Sequence, residues 1–319
     1  MLTNAYKYIV ADRPLVTALI NTYNYARYLP FAINSVLNQT YPNIEIIVVD
    51  DGSTDHTREV LAQYESRIST IRTENGGQGQ AFNLGIARAR GELLMILDAD
   101  DVWLSDKVQV MVELAARFPK AALLYHRYQN IDQHGTSIGL PQPGYLISGD
   151  WRLKYLRSGG SWWSPIASVL AIRTDHLRRV LPLPTYSVRE GADTIVADYC
   201  VLTSEVASSL EVLAYRRLHG LNSYGAGRED FRSSSKATRE SDVRRVEWRM
   251  FSLRQLMNRL GHVFDINLNR NAWRTVNLYL LGRASFWNLL MAYAISRQAS
   301  AKARWNELKY MVALKRNSS

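Results

Sequence analysis

A chain of 319 residues, 47% of them apolar, has the composition of an ordinary globular protein and room for one large domain or two smaller ones. Its single cysteine, Cys200, excludes an intramolecular disulfide and suits a reducing compartment, and no apolar run has secretory-signal or membrane-spanning length: residues 9–11 are too few, and residues 277–295 carry Arg283 and Asn288. The net charge of +10 is uneven: residues 1–220 hold 21 Lys and Arg against 22 Asp and Glu, residues 221–319 hold 18 against 7, so the basic excess lies in the last third and points to an anionic partner there.

After Pro14, the apolar, β-rich run at 15–21 predicts the first strand, and Leu29, Ile33, Val36 and Leu37 share one face of a helix over 28–38. Pro42-Asn43 turns the chain into a second buried strand at 44–49, which ends in Asp50-Asp51-Gly52-Ser53-Thr54-Asp55. Ser53 or Thr54 is expected to cap the next helix, which runs to about residue 64. A strand at 68–73, the permissive loop Gly76-Gly77-Gln78-Gly79 and a helix over 80–90 with Gly91 as its C-cap follow. A strand at 93–97, a helix over 107–118 stopped by Pro119 and a strand at 121–128 complete the alternation. Strands and helices alternating through short links predict a doubly wound, mostly parallel α/β sheet with right-handed crossovers.

Beyond residue 128 the pattern loosens. Residues 135–149 read as loop or hairpin, 150–157 as helix, Ser161-Trp162-Trp163-Ser164-Pro165 as an exposed aromatic loop, 169–172 as strand, 174–180 as helix, 193–207 as helix and 210–219 as strand. From about residue 233 the chain reads as helical, with Val243, Val246, Met250, Leu253, Met257 and Leu260 at spacings of three and four, and with further helices over 272–297 and 301–315.

Chemistry concentrates where the apolar strand at 93–97 ends in Asp98, Asp100 and Asp101. Like charges so close repel unless a cation or hydrogen-bond donors compensate. The carboxyl end of a buried parallel strand is where an open α/β sheet places its ligands, and hard oxygen ligands suit Mg²⁺ or Mn²⁺, held by one or two carboxylates together with substrate phosphates. Tyr23, just past the first strand, offers a ring for stacking on a base. Asp51, at the end of the second strand, offers a carboxylate to a base imino N–H or a ribose hydroxyl.

Four blocks in order carry a resemblance: Asn21-Thr22-Tyr23-Asn24; Val49-Asp50-Asp51-Gly52-Ser53-Thr54-Asp55; Asn75-Gly76-Gly77 with Asn83-Leu84-Gly85-Ile86; and Leu97-Asp98-Ala99-Asp100-Asp101. Over about residues 14–220 the chain resembles the family 2 glycosyltransferases with a GT-A fold. The resemblance implies a nucleotide-sugar half at 1–130, an acceptor and catalytic-base half at 131–225, and leaves 226–319 as a basic helical C-terminal extension. It implies that Asn21, Tyr23 and Asp51 hold base and ribose, that the backbone at Gly77 approaches the donor, that Asp98 lies by ribose and metal, and that Asp100 coordinates the metal. Asp101 either caps the next helix or lines the acceptor side. Family members carry a Glu-Asp pair about 26 residues before a His in a Tyr-Arg-x-His-like run; here Tyr215-Arg216-Arg217-Leu218-His219 puts the base at Asp193, with Ala192 in the Glu position and Asp198 as the alternative. His219 is a candidate for metal or phosphate, and the helix dipole is expected to keep the Asp193 pKa low.

The implied reaction is an inverting, metal-dependent transfer from a nucleotide-diphosphate sugar to a hydroxyl of a saccharide or lipid-linked saccharide, in cell-surface polysaccharide or lipopolysaccharide biosynthesis. The rival readings are a nucleotidyltransferase or a non-catalytic sugar-nucleotide-binding relative of the same layered fold. A dinucleotide dehydrogenase is rejected, because Asn21-Thr22-Tyr23-Asn24-Tyr25-Ala26 lacks the required glycines. For the basic region two uses stand: peripheral attachment to the anionic inner face of the cell membrane, or packing on the catalytic part or a second copy. Nucleic acid is not expected, since no recognised motif accompanies the charge. The chain is accordingly read as cytoplasmic.

Overall fold

The computed structural model describes residues 13–144, 146–162, 164–183, 191–220, 222 and 236–261, with 274, 278, 284 and 288 as isolated positions. The helices expected over 272–297 and 301–315 fall almost wholly outside the described residues.

The first half follows the expected alternation. It runs β1 (Val16–Thr22), α1 (Leu29–Leu37), β2 (Ile44–Asp50), α2 (Thr57–Ala62), β3 (Ser69–Arg72), α3 (Gln78–Arg88) and β4 (Leu93–Asp98). Then come β5 (Val102–Trp103), α4 (Lys107–Arg117) and β6 (Ala121–Ile131). The second half adds β7 (Ser137–Gln142), α5 (Arg152–Arg157), a 3-10 turn at Ala167–Val169, β8 (Ala171–Arg173), α6 (Thr174–Arg178), α7 (Ala192–Thr203), β9 (Glu205–Arg217) and α8 (Lys236–Arg259).

Among the described residues the strands form one sheet in the order β3-β2-β1-β4-β8-β6-β9-β5, with β7 paired to β6. β3, β2, β1 and β4 are mutually parallel. β1 and β4 are buried on both faces, which is why their sequences are continuous apolar runs rather than alternating ones. From β4 outward the sheet becomes mixed: β8 runs antiparallel to both β4 and β6, and β9 runs parallel to β6. β1 lies between β2 and β4, so the chain leaves it in opposite directions and opens a crevice at the carboxyl ends of these strands.

Several local expectations change. Gly91 is no C-cap: α3 ends at Arg88 with Ala89 as its C-cap, and a Cβ on Gly91 would lie 2.5 Å from the backbone nitrogen of Thr17, so the glycine lets the chain pass close to β1. Neither Ser53 nor Thr54 caps α2; the Asp55 carboxylate accepts the Thr57 N–H at 3.1 Å, while Ser53 Oγ accepts the Asn24 N–H at 2.9 Å. α7 ends at Thr203 rather than near 207, because β9 begins at Glu205 and pairs with β6 from there. Trp162 is buried, not exposed. The stripe on α8 is core: Val246, Met250, Leu253, Leu256 and Met257 belong to the same hydrophobic cluster as the strands.

Candidate active site

Register brings the first, second and fourth blocks together at the carboxyl ends of the parallel strands. Asn21 pairs with Asp98 across β1–β4 and with Val49 across β1–β2, and Thr22 pairs with Asp50. The Asp51 carboxylate accepts the backbone N–H groups of Gly76 and Gly77, each at 2.8 Å, one on each oxygen. This clamp fixes the loop that enters α3, whose N-cap Gly77 has φ +85°. Gly52, at φ +78°, lies beneath the same loop, and a Cβ there would come within 2.8 Å of the Asn75 nitrogen. Tyr23 is 44% exposed at the mouth. Both side-chain polar atoms of Asn21 are buried without a partner among the described residues, an arrangement that costs stability unless a ligand or water meets them.

The fourth block is held from β9 and the segment after it. Asp100 Oδ2 is 3.0 Å from His219 Nε2 and accepts Asn222 Nδ2–H at 3.0 Å. His219 stacks on Tyr28 with centroids 4.6 Å apart and meets the edge of Tyr25 at 5.8 Å. Asp101 Oδ1 accepts the Arg217 backbone N–H at 2.9 Å, and Arg217 Nε donates to the Asp100 carbonyl at 3.1 Å. Burial and the charges of Asp101, Asp100 and Asp193 raise the Asp98 pKa well above the usual carboxylate range, against the pull of Arg216. Burial and Asp100 push Asp101 up to about 7. Burial and the charges of Asp100, Asp98 and Asp101 raise the Tyr25 phenol well above its ordinary value.

The 3-10 turn Ala167–Val169 joins this cluster to Asp193. Ser168 Oγ accepts the Asp98 N–H at 3.0 Å and donates to the Asp101 carboxylate. The Ser168 carbonyl accepts Trp103 Nε1–H at 3.0 Å and the Lys107 ammonium at 2.6 Å. Lys107 is fully buried, with Nζ 4.0 Å from the Trp103 ring centroid. The Ala167 N–H donates to the Asp193 carboxylate in the first turn of α7. The expectation of a low Asp193 pKa is corrected here: burial outweighs the backbone donors and raises it. The Ala192 N–H donates to Gln78 Oε1 at 2.8 Å, so the N-termini of α3 and α7 meet.

Asp198 does not suit the role of base given to it as the alternative. Its side chain has no exposure, and its oxygens accept Arg249 Nε–H at 2.5 Å, Arg249 Nη2–H at 2.7 Å and Trp162 Nε1–H at 2.7 Å. Ser168, Lys107, Tyr25, Arg217 and Asn222 were missed by sequence reasoning. Ser168 falls just before the strand expected at 169–172, and only the return of β8 beside β4 brings it under the aspartates.

Among the described residues no three His, Cys, Asp or Glu side chains are gathered into a ready metal cage. The donor set nonetheless fits a hard divalent cation: Asp98 and Asp100 are crowded carboxylates at a strand end, and such ions are held by one or two carboxylates with substrate phosphate completing the shell.

The family model for "Glycosyl transferase family 2" matches residues 17–173. An uncharacterized glycosyltransferase of Nostoc sp. is 34% identical over 296 residues, 88% of this chain and 87% of the relative. The putative teichuronic acid biosynthesis glycosyltransferase TuaG of Bacillus subtilis is 37% identical over 130 residues, covering 40% of this chain and 51% of TuaG. Among solved structures, S. aureus TarS 1–349 in complex with UDP superposes with a TM-score of 0.56 at 17% identity, over 94% of this chain and 88% of that one. Mannosyltransferase PcManGT from Pyrobaculum calidifontis, in complex with GDP-Man and Mn²⁺, gives 0.52 at 20% identity, over 95% and 81%. The fold, the order of the blocks and these likenesses together make the chain a member of glycosyl transferase family 2, a glycosyltransferase of GT-A architecture.

Proposed function

We propose that the crevice transfers a sugar, with inversion, from a nucleotide-diphosphate sugar to a hydroxyl acceptor. The observation that carries this reading is the meeting of three groups in the crevice at the carboxyl ends of the strands: the Asp51 clamp on the glycine loop, the Asp98–Asp100 pair, and Asp193 at the start of α7. Asn21, Tyr23, Asp51 and the Gly77 backbone take the base and ribose. Asp98 and Asp100 hold Mg²⁺ or Mn²⁺, which when bound offsets negative charge on the departing diphosphate. His219 and Asn222 orient Asp100 for that task, and His219 is the further candidate ligand. Asp101 braces the strand end through Arg217 and Ser168.

Asp193 is the base that takes the acceptor proton, and its raised pKa brings it closer to neutrality, where proton abstraction is most effective. Residues 1–130 serve the donor and 131–225 the acceptor. Cell-surface polysaccharide synthesis is the setting, supported by the name of TuaG, and the TarS and PcManGT complexes support nucleotide-sugar donors and a divalent metal. A saccharide or lipid-linked saccharide is the acceptor, and the basic region at 226–319 serves attachment to an anionic membrane surface or pairing with a second copy.

The test is nucleoside diphosphate release from a panel of UDP- and GDP-sugars with Mn²⁺ and aryl glycoside acceptors. Product NMR reads the anomeric configuration. Release with an inverted product supports the reading. Release of pyrophosphate from a sugar phosphate and a nucleoside triphosphate would instead make the protein a nucleotidyltransferase.

A further inference from the structure

We propose that Arg249, on the C-terminal helix α8, is a positioning residue for transfer: its guanidinium sets the placement of the helix that carries Asp193. The inference rests on Asp193 acting as the base. Asp193 and Asp198 stand on one helix, α7, five residues apart, which is roughly 7.5 Å along a helix axis. Asp198 is the anchor of that helix. It is fully buried, and Arg249 grips it with two nearly parallel N–H groups at 2.5 and 2.7 Å. Such a fork fixes direction as well as distance.

The same centre gathers the loop before the 3-10 turn. Trp162 Nε1–H donates to Asp198 at 2.7 Å, and Arg249 Nη2–H donates to the Gly160 carbonyl at 3.3 Å. The Tyr155 hydroxyl of α5 joins the cluster and lies 3.9 Å from Met250 Sδ. Gly160 has no room for a side chain, since a Cβ there would lie 2.8 Å from Met250 Sδ. α5, the 158–162 loop, α7 and α8 therefore close on one ion pair. The 3-10 turn that donates Ala167 N–H to Asp193 follows that loop. A shift of α7 moves Asp193 relative to Asp98, and a displacement of about 1 Å at a reacting group can cost on the order of 10² in rate. Both Asp198 and Arg249 lie beyond residues 17–173, the segment that matches the family model, so the transfer centre of this chain depends on a helix outside that segment.

The test uses the full chain. Arg249→Lys keeps the charge but not the two-pronged grip, and Asp198→Asn keeps an acceptor for Trp162 while weakening the fork. Circular dichroism first sets a temperature at which each variant is fully folded. Mn²⁺-dependent binding of UDP and GDP is measured by calorimetry, and turnover of the preferred UDP- or GDP-sugar is measured with aryl glycosides. A fall in kcat of fivefold or more in a folded variant, with nucleotide affinity falling less than kcat, is the expected result. A smaller fall in kcat in both folded variants overturns the proposal, as does an equal fall in nucleotide affinity, which marks general loosening. Asp193→Asn in the same assay separates the two claims. If it is active, Asp193 is not the base; if it is inactive while Arg249→Lys is fully active, only the role of Arg249 falls.

Discussion

At the scale of residues, the aspartates divide by what surrounds them rather than by where they stand in sequence. Asp98, Asp100 and Asp101 occupy one strand end, yet Asp100 is held by His219 and Asn222, and Asp101 by Arg217 and Ser168. Asp193→Asn is predicted to retain donor binding and lose about 10²–10⁴-fold in kcat, the range for a lost general base. Because burial raises the Asp193 pKa, the acid limb of kcat/KM in the wild type is expected above the ordinary aspartate range, and a pH–rate profile checks this. Asp198→Asn leaves Arg249 without its full counter-charge in the interior and is predicted to lower stability by up to about 3–5 kcal/mol, read by denaturant titration. The Asp-x-Asp pair, Asp51 and Gly77 were legible in the sequence because each ends or begins an element with a clear pattern. Ser168 and Lys107 were not, since their contacts span 61 to 70 residues and carry no local signal.

At the scale of elements, the parallel half was read closely because its central strands β1 and β4 are buried on both faces and its helices are amphipathic. The mixed half was read less well. β5 has two residues, too few for any periodicity, and it exists because Val102 and Trp103 pair with Tyr215 and Ala214. β8 has three residues and owes its place to β4 and β6 on either side. The glycine loop is the element most exposed to a single change. Gly52→Ala would put a Cβ against the Asn75 nitrogen at a φ that L residues rarely adopt, a strain of about 1–3 kcal/mol. The variant is predicted to fold but to bind UDP or GDP at least tenfold more weakly, because the Asp51 clamp on Gly76 and Gly77 is displaced. Calorimetry with wild-type affinity would show that the clamp tolerates the shift.

At the scale of the whole molecule, α8 is part of the catalytic body. Met250, Leu253, Leu256 and Met257 are buried in the common core, and at about 1.5–3 kcal/mol per side chain their loss is comparable with the entire stability of an ordinary domain. A 1–230 truncation is therefore predicted to misfold, and the membrane question belongs to surface substitutions instead. Trp248 and Phe251, 53% and 47% exposed, lie on the outer face of α8 beside the exposed Arg254. Trp248→Ala with Phe251→Ala should keep stability but reduce flotation with anionic vesicles if this face meets lipid, and unchanged flotation would assign attachment elsewhere. The basic excess was legible as a count, but its division between half-buried Arg249 and the solvent-facing Arg244 and Arg254 was not, because all three stand on one continuous helix.

Stability should also follow two histidines, His126 fully buried and His176 half-buried. Burial, with Lys107 nearby, lowers the His126 pKa well below its usual value, and burial with Arg179 lowers His176 to about 4. The unfolded chain then binds more protons than the folded one between about pH 6.5 and 4, so stability falls as pH drops through that window. His126→Gln and His176→Gln are each predicted to flatten this fall in thermal melts.

The central claim is a division of labour: Asp98 and Asp100 serve donor and metal, and Asp193 serves the acceptor. The most direct measurement is paired calorimetry and turnover for wild type, Asp100→Ala and Asp193→Asn, with UDP- and GDP-sugars, with and without Mn²⁺. The account predicts that Asp100→Ala loses both the Mn²⁺-dependent part of nucleotide binding and turnover. It predicts that Asp193→Asn keeps that binding and loses turnover. Full turnover by Asp100→Ala in the presence of a chelator, or loss of Mn²⁺-dependent binding in Asp193→Asn, would contradict it.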